Sequence, residues 1–171
     1  SVARHFPGRG SHDAGPPPVR TRKHPRGLPK AEIPSKHRAE LDRANLVVAR
    51  TCALLLAGWR VGTQFAIESP CDRGDPAHER NFLHADHAPL WLMPEVIALM
   101  KLTAAKSVTF PQCSFGAKWQ KQTTLAYTAG FDSWLDPLSQ LVCTHTSHGA
   151  EAGGERVGDR WVSSEASAYP S

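Results

Sequence analysis

An isolated carboxylate closes a short apolar run at Phe65-Ala66-Ile67-Glu68-Ser69-Pro70. A second chemistry-bearing stretch follows at Val108-Thr109-Phe110-Pro111-Gln112-Cys113-Ser114-Phe115-Gly116 and continues through Lys118, Gln120, Lys121 and Thr123. Burying an unpaired carboxylate is costly, so Glu68 is expected at a strand tip facing a cleft. There it can exchange a hydrogen bond with a ring nitrogen of a heterocycle or act as a general acid or base. The structural alternative is an ion pair with Arg60 or Arg73, or a cap on the next turn. In the second stretch Gly116 allows a sharp turn while amide, ammonium and hydroxyl groups gather beside it. That set suits an anionic or base-like ligand, and its alternative is an ordinary hairpin loop with solvated lysines. Cys113, flanked by Phe110 and Phe115 with no histidine next to it, reads as a buried structural thiol.

Two further groups carry metal-ligand side chains. Cys143, His145 and His148 stand at i, i+2 and i+5, but no CxxC or HxxxH partner completes a tetrahedral set, and Glu151 or Cys71 would have to be recruited. His78, His84, Asp86 and His87 lack ligand spacing altogether. Both groups read as polar loops, and no metal site is expected. The chain contains no GxGxxG, GxxxxGK[ST], HExxH or GxSxG, so the usual entry points to dinucleotide, P-loop, zincin and hydrolase chemistry are missing.

The elements that must hold these groups follow from periodicity. Leu41, Ala44, Val48, Cys52, Leu55 and Trp59 recur at spacings of three or four after Ser35, which predicts a capped helix of about 22 residues. Residues 64–67 read as a buried strand stopped by Ser69-Pro70, and 71–88 as a long loop. Pro94-Glu95 opens a second helix with Val96, Leu99, Met100 and Thr103 inward. Strands are expected at 107–110 and 124–128, and a helical turn at 136–141. That alternation predicts an α/β domain over 35–171 resembling half of an open α/β sheet, with the site in the loops at its strand ends.

With 171 residues, 40% of them hydrophobic, the chain has room for one domain with a core. Its longest apolar stretch, 46–59, is interrupted by Arg50 and Thr51, so no membrane span is expected. The four cysteines lack paired spacing, which fits a reducing, intracellular compartment. The sequence begins at Ser1 without a secretion signal and is expected to be a fragment. Residues 1–34 hold seven of the fourteen prolines and are expected to be a disordered or extended arm. Residues 1–38 carry nine Lys or Arg against Asp13 and Glu32. Arg20, Arg22, Lys23 and Arg26 are the candidates for contacting nucleic-acid phosphates, and the alternative is a solvated tail.

Together these residues resemble the C-terminal part of the catalytic domain of DNA (cytosine-5) methyltransferases, most closely the divergent domains of phage and retroelement-type reading frames. Ile67-Glu68-Ser69-Pro70 is similar to the family's Glu-Asn-Val or Glu-Asn-Pro strand end, with Ser69 in place of Asn. Gln112-Cys113-Ser114-Phe115-Gly116, Lys121, Thr123, Thr124 and Leu125 resemble the later strand-turn-strand segment, and 163–170 resembles the close of the divergent domains. Ser1-Val2-Ala3-Arg4 looks like the tail of the catalytic Pro-Cys loop, cut after its nucleophile. The resemblance implies a partial Rossmann-like sheet in which Glu68 holds a flipped cytosine, helped by Ser69, Gln112, Gly116, Lys118, Lys121 and Thr123. It also implies DNA as partner and S-adenosylmethionine as methyl donor, with the donor loop and nucleophile absent and the chain inactive alone. The competing expectation is a non-catalytic nucleic-acid-binding module of a mobile-element protein.

Overall fold

In the computed structural model, the described residues are 19–76, 85–117 and 121–146, together with the backbone of two short paired strands, Arg156–Val157 and Arg160–Trp161. Two helices carry the main core. Helix α1 spans Ser35–Arg60. Ser35 was expected to cap it but is its first residue, preceded by Pro34, and no side chain caps the start. Its far end closes as a Schellman motif: Thr63 donates its N–H to the Gly58 carbonyl and Gly62 to that of Trp59, with Gly62 at a φ of 92°. The inward spacing holds, since Leu41 and Cys52 are buried while Val48, Leu55 and Trp59 pack on the core.

Strand β1, Ala66–Pro70, follows α1, and after the long loop comes helix α2, Pro94–Thr103, with Pro94 in its first turn as expected. Strand β2, Lys106–Pro111, and strand β3, Gln122–Tyr127, complete a three-stranded sheet of order β1-β3-β2 in which both pairings are antiparallel. The fold is therefore mixed α/β, as expected, but the three strands form a small antiparallel sheet. Parallel neighbours need a crossover of a dozen or more residues, whereas only ten residues separate the end of β2 from the start of β3, and the two pair antiparallel. β1 also runs on through Ser69 and Pro70, which the sequence reading had used to stop it. Pro70 is tolerated because β1 is an edge strand.

The pleat sorts side chains between two covered faces. Ile67 joins Cys52, Phe65, Met93, Val96 and Leu99 in the main core beneath α1 and α2. Val108, Phe110, Thr123 and Tyr127, also buried, lie on the opposite face. The segment after β3 closes over that side, where the Tyr127 hydroxyl donates to Asp136 Oδ1 at 2.5 Å and the Lys106 ammonium reaches Asp132 and Asp136. Burial, reinforced by the Asp136 carboxylate, pushes the Tyr127 phenol up to about 12.

A second small core of Val19, Ile33 and Leu41, flanked by Leu28, attaches residues 19–34 to α1. The part of the expected arm that is described is irregular apart from the 3-10 turn Lys30–Glu32, but it is packed. Gly27 is required there: its φ is 133°, and a Cβ would stand 2.4 Å from Leu41 Cδ2. Residues 1–18 lie outside the described set.

Candidate functional site

Glu68 is exposed in the middle of edge strand β1, opposite Leu125, rather than at a strand tip. Among the described residues no ion pair engages it. Ser69 pairs with Thr124, so it faces the other side of the sheet. Register places Glu68 and Thr123 on the same face, yet Thr123 is fully buried and its hydroxyl accepts a hydrogen bond from Gln112 Nε2 at 2.9 Å. Gln112 is itself buried, and its backbone N–H donates to the Lys121 carbonyl at 2.8 Å. Gln112 and Thr123 thus hold the β2–β3 connection together instead of lining a cleft. Gly116, at a φ of 86°, ends the 3-10 turn Gln112–Phe115, where nothing lies near its missing Cβ. Lys121 is half-buried beside this turn, and Lys118 lies outside the described residues.

The arginines expected to meet phosphates are engaged with the body of the protein. Arg20 is buried and donates to the Pro25 carbonyl at 3.1 Å, Asn45 Oδ1 at 2.7 Å and Met93 Sδ at 2.9 Å. Burial lowers its pKa, opposed by Glu95. Arg22 grips both oxygens of Asp72, at 2.7 and 2.9 Å, and Arg26 meets Glu95 at 2.5 Å. Lys23 alone of the four candidates is exposed with no bond among the described residues. The guanidinium groups clamp 19–34 to α1, α2 and the loop after β1, because desolvated charge needs partners at hand.

His87 belongs to the same clamp. It is buried, and its Nδ1 accepts the Arg73 N–H at 3.0 Å while lying 3.6 Å from Asp72 Oδ1, too far for a second hydrogen bond. Burial lowers its pKa, with Asp72 opposing and Arg73 and Arg22 adding to the fall. The unfolded chain therefore binds more protons than the folded one below the ordinary imidazole value of about 6.5. Stability from His87 is full above that value and declines as pH falls toward the depressed folded pKa. The urea midpoint is expected to drop between pH 7.5 and 5.5, and to drop less in His87→Gln. The other expected loop histidines, His78 and His84, lie outside the described residues.

Two features were not read from the sequence. The first is the outer face of α1. Lys36, Arg43 and Arg50 are seven residues apart, which stacks them on one stripe two turns apart, drifting only ~20° per step. All three are exposed, and among the described residues no acid engages them. Between and beyond them on the same stripe lie Val47, 63% exposed, and Leu54, 73% exposed, opposite the buried Leu41 and Cys52. The spacing of seven is present in the sequence, but it marks an outer face only once the inward positions of the helix are placed.

The second is a cluster of Cys113, Cys143 and His145, whose ligand atoms all lie within 4.8 Å of one another. Cys143 Sγ and His145 Nδ1 are 3.7 Å apart. Burial and the neighbouring Cys143 raise the Cys113 thiol above its ordinary value. Of the two further ligands the sequence offers, Cys71 is buried elsewhere with its thiol pushed up to about 11, chiefly by burial, and Glu151 lies, with His148, outside the described residues. Cys113 is 30 positions before Cys143, a separation no spacing rule detects.

No described helix is long and apolar enough to cross a membrane. Comparison of the chain with protein-family models, with curated proteins and with solved structures returns no match.

Proposed function

We propose that the chain is a nucleic-acid-binding module that presents α1 to duplex DNA. The observation that carries this is the outward stripe of Lys36, Arg43 and Arg50, free of acidic partners among the described residues. A 26-residue helix is about 39 Å long, and a DNA major groove about 12 Å wide admits one. Arginines on such a helix serve phosphates or guanine edges, while Val47 and Leu54 suit thymine methyl groups. The charge balance of α1, five Lys or Arg against Glu40 and Asp42, favours the same partner.

Binding of a labelled duplex by the full chain, followed by anisotropy across a salt series, tests the reading. Three phosphates neutralised by the stripe give a slope of log affinity against log salt of about −3. No binding at low salt would overturn it, and capture of an acidic peptide instead would move the stripe to a protein partner.

A second reading, a cytosine-5 methyltransferase-like fragment with S-adenosylmethionine as donor, is favoured by one observation. Glu68 is exposed on the same sheet face as Thr123. The two readings part at Glu68→Gln. A helix-borne contact predicts unchanged duplex affinity, within twofold, whereas a carboxylate that grips a flipped cytosine predicts weaker binding to cytosine-containing duplex only.

A further inference from the structure

We propose that Cys113, Cys143 and His145 form a zinc site with three protein ligands and one position open to water. The inference does not rest on the DNA reading, since its residues lie outside α1.

Cys113 comes from the turn Gln112–Phe115 and the other two donors from the irregular segment 141–146. The turn is fixed by the Gln112 bonds already described, by the Gly116 N–H donating to the Cys113 carbonyl at 3.1 Å, and by an edge-on contact of Phe110 with Phe115 at 5.7 Å. The Ser114 hydroxyl reaches the Val142 carbonyl at 3.5 Å, which brings the second segment against the turn. One ligand is therefore rigid and the other two are adjustable.

The donor set and distances fit zinc better than a harder cation. Two thiolates and an imidazole are borderline-soft ligands suited to Zn²⁺. With Zn–S near 2.3 Å and Zn–N near 2.0 Å, neighbouring ligand atoms of a tetrahedral site are about 3.5–3.8 Å apart. The Cys143–His145 edge, 3.7 Å, already has that length. The remaining edges, none above 4.8 Å, need to close by no more than about 1.3 Å. Burial grades from Cys113, inside, through Cys143 to exposed His145, so the fourth position faces solvent. Zn²⁺ binding to the two thiols and the neutral imidazole displaces two protons to buffer and forms two Zn–S bonds and one Zn–N bond, so affinity rises with pH.

The test uses the full chain, reduced and loaded with zinc alone, then dialysed and assayed for metal. One zinc per chain is expected, and cobalt in its place should show a sulfur-to-cobalt charge-transfer band. Cys143→Ser and His145→Ala, both outside the core, should each weaken zinc binding at least 100-fold, by about as much as the largest losses seen for groups that merely support a ligand. Cys52→Ser, at a buried thiol of the main core outside the cluster, should leave it unchanged. Less than half a zinc per chain, binding unaltered in Cys143→Ser, or a Cys113–Cys143 disulfide that persists in reductant would each overturn the site.

Discussion

Met93→Ala is expected to lower the unfolding free energy by about 2–5 kcal/mol, read as a fall in the urea midpoint with an unchanged slope. Met93 is fully buried in the core that joins α1, α2 and Phe65, immediately before the first turn of α2. Truncation removes its packing and leaves a cavity that surrounding helices cannot fully fill. It also removes the sulfur that faces the Arg20 guanidinium at 2.9 Å. Arg20 already has a buried Nε with no hydrogen-bond partner among the described residues, so a second orphaned N–H adds desolvation cost. Met93→Leu separates the two effects. It conserves volume and should cost less than about 1.5 kcal/mol, and whatever it does cost beyond packing belongs to the Arg20 contact. A loss below about 1 kcal/mol in Met93→Ala would mean that the two helices do not depend on this core.

The second large effect concerns binding. Arg43→Ala combined with Arg50→Ala is expected to weaken duplex DNA binding about 10- to 100-fold at low salt while leaving the urea midpoint within about 0.5 kcal/mol of wild type. Both side chains point away from the core and make no intramolecular bond among the described residues, so nothing in the fold depends on them. Arg22→Ala gives the reverse pattern. It removes the Nη1 that donates to both Asp72 oxygens, lowering stability, and leaves the salt dependence of binding as it was. The contrast separates the two basic regions: one holds the protein together, and the other is available to a partner.

How much of this was legible in the sequence differs by element, for physical reasons. Helix α1 was read from Leu41, Val48, Cys52, Leu55 and Trp59 because a helix's packing depends on one local stripe. Helix α2 was read from Pro94 for a similar reason, since proline suits a first turn. The strands were found to within a few residues, but their pairing was not. Order along the chain resembles an alternating α/β pattern whether strands pair parallel or antiparallel, and here the short 112–121 connection decided it. The charge-rich segment 19–34 was recognised by composition, yet its use depends on Asn45, Asp72, Met93 and Glu95, which are distant in sequence. The same blindness to distance hid Cys113 from Cys143 and His145. Glu68 and Thr123 were singled out together, and register does place them on one face, but burial assigns Thr123 and Gln112 to the structure of the turn.

The most direct test of α1 as the nucleic-acid-contacting element is the salt dependence of duplex affinity, measured side by side for the wild-type chain and the Arg43→Ala, Arg50→Ala variant. Each lost phosphate contact reduces the slope by about 0.9, so the variant's slope should be shallower by about 2. Equal slopes for the two proteins would show that DNA, if bound, is held by some other surface.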